Sequence, residues 1–189
     1  ATRDPRFLQN HDWLAALTKR STLNSARILL DFVSSESFPT ERGALDGMGL
    51  GRDLAALMNA HAEFRDEVYR RYGALHEGRA KATLGYAIAE APDVQGVLLL
   101  VRNAGAAGKP FRQTPLHTAL RNILVEQRPS GTWAGMQELV SVPASELRRE
   151  LFTIVVNGSA PESELAAKTL TVIDQMRDDY GDIETERRH

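Results

Sequence analysis

Cysteine is absent from this 189-residue chain. Its absence removes a disulfide framework, a thiolate nucleophile and any Cys-ligated zinc, and it fits a cytoplasmic protein. Long apolar runs are also missing. The most apolar stretch, VLLLV at 97–101, falls far short of the ~20 residues a membrane-spanning helix needs. The opening ATRDPRFLQNHD has no apolar centre of the kind a signal peptide carries. Neither charge sign is in surplus: 23 basic residues meet 25 acidic ones, for a net charge of −2. Such a balance gives no general drive toward nucleic acid or anionic membranes. The distribution is uneven, with 12 basic and 12 acidic residues in 1–91, 7 and 5 in 92–157, and 4 and 8 in 158–189. Arginine outnumbers lysine 19 to 4, a skew expected of a bacterial genome rich in GC. With no opening Met and a charged end, the chain reads as a piece of something longer.

Catalytic signatures are lacking as well. GMGLG at 47–51 has the spacing of a dinucleotide loop, but no strand precedes it and no acidic residue follows a second strand. A flexible loop is the expectation there. GAAGKP at 105–110 echoes a phosphate loop, yet position 104 is Ala and Lys109 is followed by Pro110, so it fails as a Walker A. The five histidines show no metal-ligand spacing, and His61 and His117 read as helix-surface or capping residues. No GxSxG elbow occurs. DDYGD at 178–182 does carry DDxxD spacing. Asp178, Asp179 and Asp182 are therefore the candidate metal ligands, weighed against a solvated helix end, which one unpartnered acidic motif favours. Arg65, Arg70, Arg71, Arg79 and Lys81 alternate with Glu63, Asp66, Glu67 and Glu77, the pattern of a salt-bridged solvated face. The basic patch of Lys109, Arg112, Arg121 and Arg128, with Phe111 and Trp133 nearby in sequence, is the candidate for a nucleic-acid groove, which combines basic and stacking side chains. Its candidate binding residues are Lys109, Phe111, Arg112 and Trp133. A loop pinned by a buried Phe and Trp is the competing reading.

What the sequence does contain is helix grammar, clearest over residues 142–181. Pro143 suits a first helical turn, and Leu147, Leu151, Ile154 and Val155 share a stripe. Asn157-Gly158 supplies a left-handed helix closure. Pro161 opens a partner helix with Glu162 and Glu164 near its positive end. Its apolar face holds Leu165, Leu170, Val172, Ile173, Met176 and Tyr180. Upstream, Trp13, Leu14 and Leu17 mark one helix, and a second starts at Asn24 or Ser25 with Ile28, Leu29, Phe32 and Val33 inward. Residues 34–51 are rich in Ser, Gly and Pro and read as irregular. Leu50, Leu54, Leu57 and Met58 mark the next helix, and Phe64, Val68, Tyr69 and Tyr72 another. A longer one spans about 74–91, with Ala80, Leu84, Ala87 and Ile88 inward and Gly85 suited to close approach. Pro92-Asp93 breaks and recaps the chain. The helix over 93–103 is apolar on all sides and belongs at the centre of a core, a buried strand being the alternative. Thr114-Pro115 opens a helix with Leu116, Ala119, Leu120, Ile123 and Leu124 inward. Pro129 and Gly131 break it, and Thr132 caps a short helical segment carrying Trp133, Met136, Leu139 and Val140.

About ten helices in hairpins recurring at roughly forty residues match HEAT-like repeats. The expected fold is all-α, a single domain over 1–189 stacked as a HEAT-like α-solenoid or compact array, with a charged tail at 181–189. HAEFRDEVYRRYG at 61–73, APDVQGVLLLVR at 91–102, WAGMQELVSVPASELRRELF at 133–152 and IDQMRDDYGDIETERRH at 173–189 resemble the C-terminal helical-repeat region of bacterial NACHT-type NTPases. The resemblance implies a helical array that senses a ligand or regulates an NTPase by packing on it, and it carries over no catalytic residue. The expected function is a non-enzymatic interaction or regulatory module without cofactor, bound to a protein partner or to other parts of its parent chain. The alternatives are a metal-dependent helical enzyme using the aspartate cluster, or a nucleic-acid-binding repeat.

Overall fold

The computed structural model describes residues 11–36, 38, 47–103, 111, 114–128, 136–139 and 141–180. Within the stretch read as one domain, contacts gather into two compact units, Ala1–Ala91 and Pro92–His189. The division falls at the Pro92-Asp93 break.

The first unit is built from α1 (His11–Arg20), α2 (Leu23–Val33), α3 (Gly47–Ala60), α4 (Ala62–Ala74) and α5 (Arg79–Glu90). Helix α2 begins one residue earlier than its sequence signal, because Thr22 is the cap: its Oγ1 accepts from the Ser25 N–H at 3.2 Å. The apolar positions then turn inward at helical spacing. Leu29, Phe32 and Val33 of α2, Leu54, Leu57 and Met58 of α3, Phe64, Val68 and Tyr72 of α4, and Leu84, Ala87 and Ile88 of α5 are buried together. Helix α3 corrects an expectation. The GMGLG stretch is the first turn of a helix rather than a flexible loop, because α3 buries Gly51 against α5. A Cβ at Gly51 would lie 3.1 Å from the Tyr86 Cβ and 3.2 Å from the Thr83 carbonyl oxygen. Gly51 thus makes a close approach of α3 to α5, and Gly85, read as suited to such an approach, is also buried. Phe38 is buried and meets Phe32 edge-on, ring centroids 5.5 Å apart.

The second unit comprises α6 (Val94–Asn103), α7 (Pro115–Leu124), β1 (Val125–Arg128), β2 (Met136–Leu139), α8 (Ser141–Asn157) and α9 (Ala160–Tyr180). VLLLV lies in helix α6 and not in a buried strand. Asp93 caps it, its Oδ1 accepting from the Gly96 N–H at 2.7 Å, and α6 touches α7, α8 and α9. Val97, Leu98, Leu100 and Val101 of α6, Leu116, Leu120 and Leu124 of α7, and Leu147 and Leu151 of α8 are all buried. Thr114 caps α7 as its sequence predicts, receiving the His117 N–H at 3.4 Å while donating to the Phe111 carbonyl at 2.7 Å.

The α8–α9 turn is built differently from its expected form. Gly158 does not take a left-handed φ; it is required because a Cβ there would lie 2.6 Å from the Ile154 carbonyl oxygen. Ser159, rather than Pro161, opens α9. The Glu162 carboxylate accepts from the Ser159 N–H at 2.8 Å and from its hydroxyl at 2.6 Å, the glutamate half of the capping box that a Ser-x-x-Glu sequence offers. Those bonds, with help from the Arg102 charge, hold the Glu162 carboxyl below its ordinary pKa.

The all-α expectation holds in nine helices among the described residues, with one correction. Residues 125–128 and 136–139 pair as an antiparallel hairpin, Val125 opposite Leu139 and Arg128 opposite Met136. The spacing of Met136, Leu139 and Val140 resembles a helix turn, but four residues are too few for period to discriminate. Among the described residues no helix is long and apolar enough to cross a membrane.

Candidate functional site

The parallel neighbours α2 and α4 make the most chemically articulated surface of the first unit. Residues 40 apart in the chain meet in the same direction along both helices. Arg27 Nε donates to Glu67 Oε1 at 2.9 Å and to Oε2 at 3.1 Å. One turn further, Arg71 Nη2 donates to Asp31 Oδ1 at 2.9 Å. Just before α2, His61 Nε2 donates to the Ser21 carbonyl oxygen at 2.8 Å. Ser21 holds a left-handed φ of 47° there, uncommon outside glycine and a small local cost. The sequence of charges is crossed: α2 offers base then acid, α4 acid then base. Hydrogen bonding to Arg27, reinforced by the charges of Arg27, Arg70 and Arg71, lowers the Glu67 pKa. Glu67 in turn raises that of Arg27, through the same bond and its charge.

These side chains border a cavity of about 420 Å³ lined by Arg27, Leu30, Asp31, Glu67, Arg70, Arg71 and Ala74. Leu30 is buried beneath it. Three guanidiniums face two carboxylates, and each carboxylate already has an arginine. Sequence reading treats Arg70, Arg71 and Glu67 only as a solvated face and does not single out Arg27 or Asp31. The signal that would have found them is the forty-residue offset, applied residue by residue.

The second unit offers a surface of another kind. Phe152 and Val156, four residues apart on α8, are each 63% exposed, so they form one apolar ridge. Arg149 beside them is bonded to its neighbour Glu150 at 3.2 Å. Across α8 and α9, Arg148 pairs with Asp174.

Of the binding candidates, Lys109, Arg112 and Trp133 lie outside the described residues. Phe111 is described, and it is an anchor in the second unit rather than an open stacking platform. It is 9% exposed, with the His117 ring edge-on at 6.0 Å and Lys168 Nζ 5.7 Å from its centroid. Asp178 and Asp179 lie on the backbone of the last turn of α9, and Asp182 lies outside the described residues. Among the described residues no group of three or more His, Asp or Glu side chains is placed to hold a metal ion.

No curated protein and no solved structure matches the chain. One family does match, over 119–189, and its description as an alpha/beta region agrees with the presence of β1 and β2 between helices. The segments at 61–73 and 91–102 that also carried the resemblance lie before the matched span. Residues 119–189, from the middle of α7 through β1, β2, α8 and α9, match the family described as NACHT C-terminal Alpha/Beta 2, the NACHT-associated C-terminal region that the resemblance implied.

Proposed function

We propose that this chain is a non-enzymatic regulatory piece of a larger NACHT-type NTPase, acting by packing on another part of its parent chain or on a protein partner. The match over 119–189 carries this reading. The Phe152–Val156 ridge supports it, because an exposed apolar pair on a helix otherwise fixed by its partner α9 is suited to further packing. The parallel α2–α4 pair at an offset of 40 supports a repeat-like, HEAT-type arrangement in the first unit. A cytoplasmic, bacterial setting belongs to the same reading.

The test is nucleotide hydrolysis by the full parent protein carrying Phe152→Asp and Val156→Asp together. Both side chains are solvent-facing, so fold stability should change by no more than about 0.5 kcal/mol per site. The hydrolysis rate should shift at least threefold, or roughly 0.7 kcal/mol in the activation barrier. An unchanged rate in a variant that melts normally would remove the regulatory role of this ridge.

A further inference from the structure

We propose that the α2–α4 groove is a docking site for an acidic side chain of a protein partner, a carboxylate gripped by Arg70 with the unused edges of Arg27 and Arg71. Three observations converge. The groove is open to solvent and holds about 420 Å³, room enough for one side chain of a partner. Its lining carries three guanidiniums and two carboxylates, hence a formal surplus of one positive charge. Both carboxylates are engaged, Glu67 by Arg27 and Asp31 by Arg71, whereas exposed Arg70 has no ion-pair partner among the described residues, Glu67 acting on it only through its charge.

The ion pairs also orient the donors. Arg27 uses Nε and Nη2 on Glu67, so its Nη1 hydrogens remain for a ligand. Arg71 uses Nη2 on Asp31, which leaves Nε and Nη1. A planar carboxylate is the shape that a guanidinium edge recognises in bidentate fashion. Charge decides against a larger anion. Any anion there faces Asp31, Glu67 and the negative ends of two parallel helices. A carboxylate with one charge matches the single surplus positive charge of the lining, while a polyphosphate brings several charges against the same repulsion. Buried Leu30 and exposed Ala74, the apolar residues of the lining, suit the methylene stem of a glutamate. This inference stands on the first unit alone and does not depend on the regulatory reading.

The experiment is an NMR titration of the whole chain, isotope-labelled, at low salt, with a blocked Gly-Glu-Gly peptide, its Gly-Gln-Gly counterpart and inorganic phosphate. The glutamate peptide should give saturable shifts on α2 and α4 and at the arginine Nε–H signals, and the glutamine peptide none. Arg70→Gln should weaken binding about fivefold, the upper range for one exposed ion pair, without moving the melting midpoint. No saturable shift, equal response to both peptides, or undiminished binding by Arg70→Gln would each overturn the proposal. Tighter binding of phosphate than of the glutamate peptide would overturn the carboxylate assignment.

Discussion

Gly158 shows how one residue can be legible in a sequence for a reason other than its actual one. An Asn-Gly pair at a helix end suggests a left-handed closure, yet what excludes a side chain is the Ile154 carbonyl oxygen, 2.6 Å from where a Cβ would sit. The Gly158 N–H donates to that same oxygen at 2.8 Å. Gly158→Ala must therefore part the two or lose the bond. It should destabilise the chain by roughly 1–3 kcal/mol, the usual range for overpacking, as read from urea unfolding. Asp53 makes a second case. It is half-buried between α1 and α3, where its carboxylate accepts from Thr18 Oγ1 at 3.3 Å. Burial raises its pKa above the ordinary 3.8, and the threonine bond only partly opposes this. The folded chain thus keeps the Asp53 proton to higher pH than the unfolded chain does. Its contribution to stability is present below 3.8 and is lost as pH rises through the elevated folded value. Asp53→Asn should accordingly raise the melting temperature at neutral pH. That advantage should vanish in acid, where both variants carry a neutral group; a gain that persists there would contradict the burial argument.

At the scale of elements, helical faces were the easiest thing to read. Leu54, Leu57 and Met58, or Leu84, Ala87 and Ile88, recur at helical spacing and are buried as that spacing requires. Caps at Thr114 and Asp93 were legible because they rest on residues adjacent in sequence. The β1–β2 pair was not, because a four-residue strand is defined by its partner eight or more positions away. The α2–α4 ladder was half legible. A spacing of forty residues could be seen, but the residues that meet could not, since the charges occupy faces whose orientation depends on packing. Its pairing can be tested by exchange. Arg27→Glu alone, or Glu67→Arg alone, sets like charges opposite one another and should lower the melting temperature. Both changes together restore an attractive pair and should recover much of the loss. A double variant no better than the sum of the singles would show that the two side chains do not interact in solution.

On the scale of the whole molecule, composition and periodicity conveyed helical architecture and the break at Pro92, where the two compact units divide. They could not convey a site. The α2–α4 groove assembles from residues 27–31 and 67–74, so it exists only after the chain between them has been laid down. Phe152 likewise looks like any core aromatic in sequence, and only the packing of α8 on α9 leaves it outside.

Because α2 and α4 point the same way, the polypeptide has to travel back along α3 before the two can lie side by side. Local turns such as Ser159–Glu162 close over three residues, whereas Arg27 must wait for Glu67 across 40. Loop closure over the longer span carries the larger entropic cost. The ladder is therefore expected to close only after such local turns have formed.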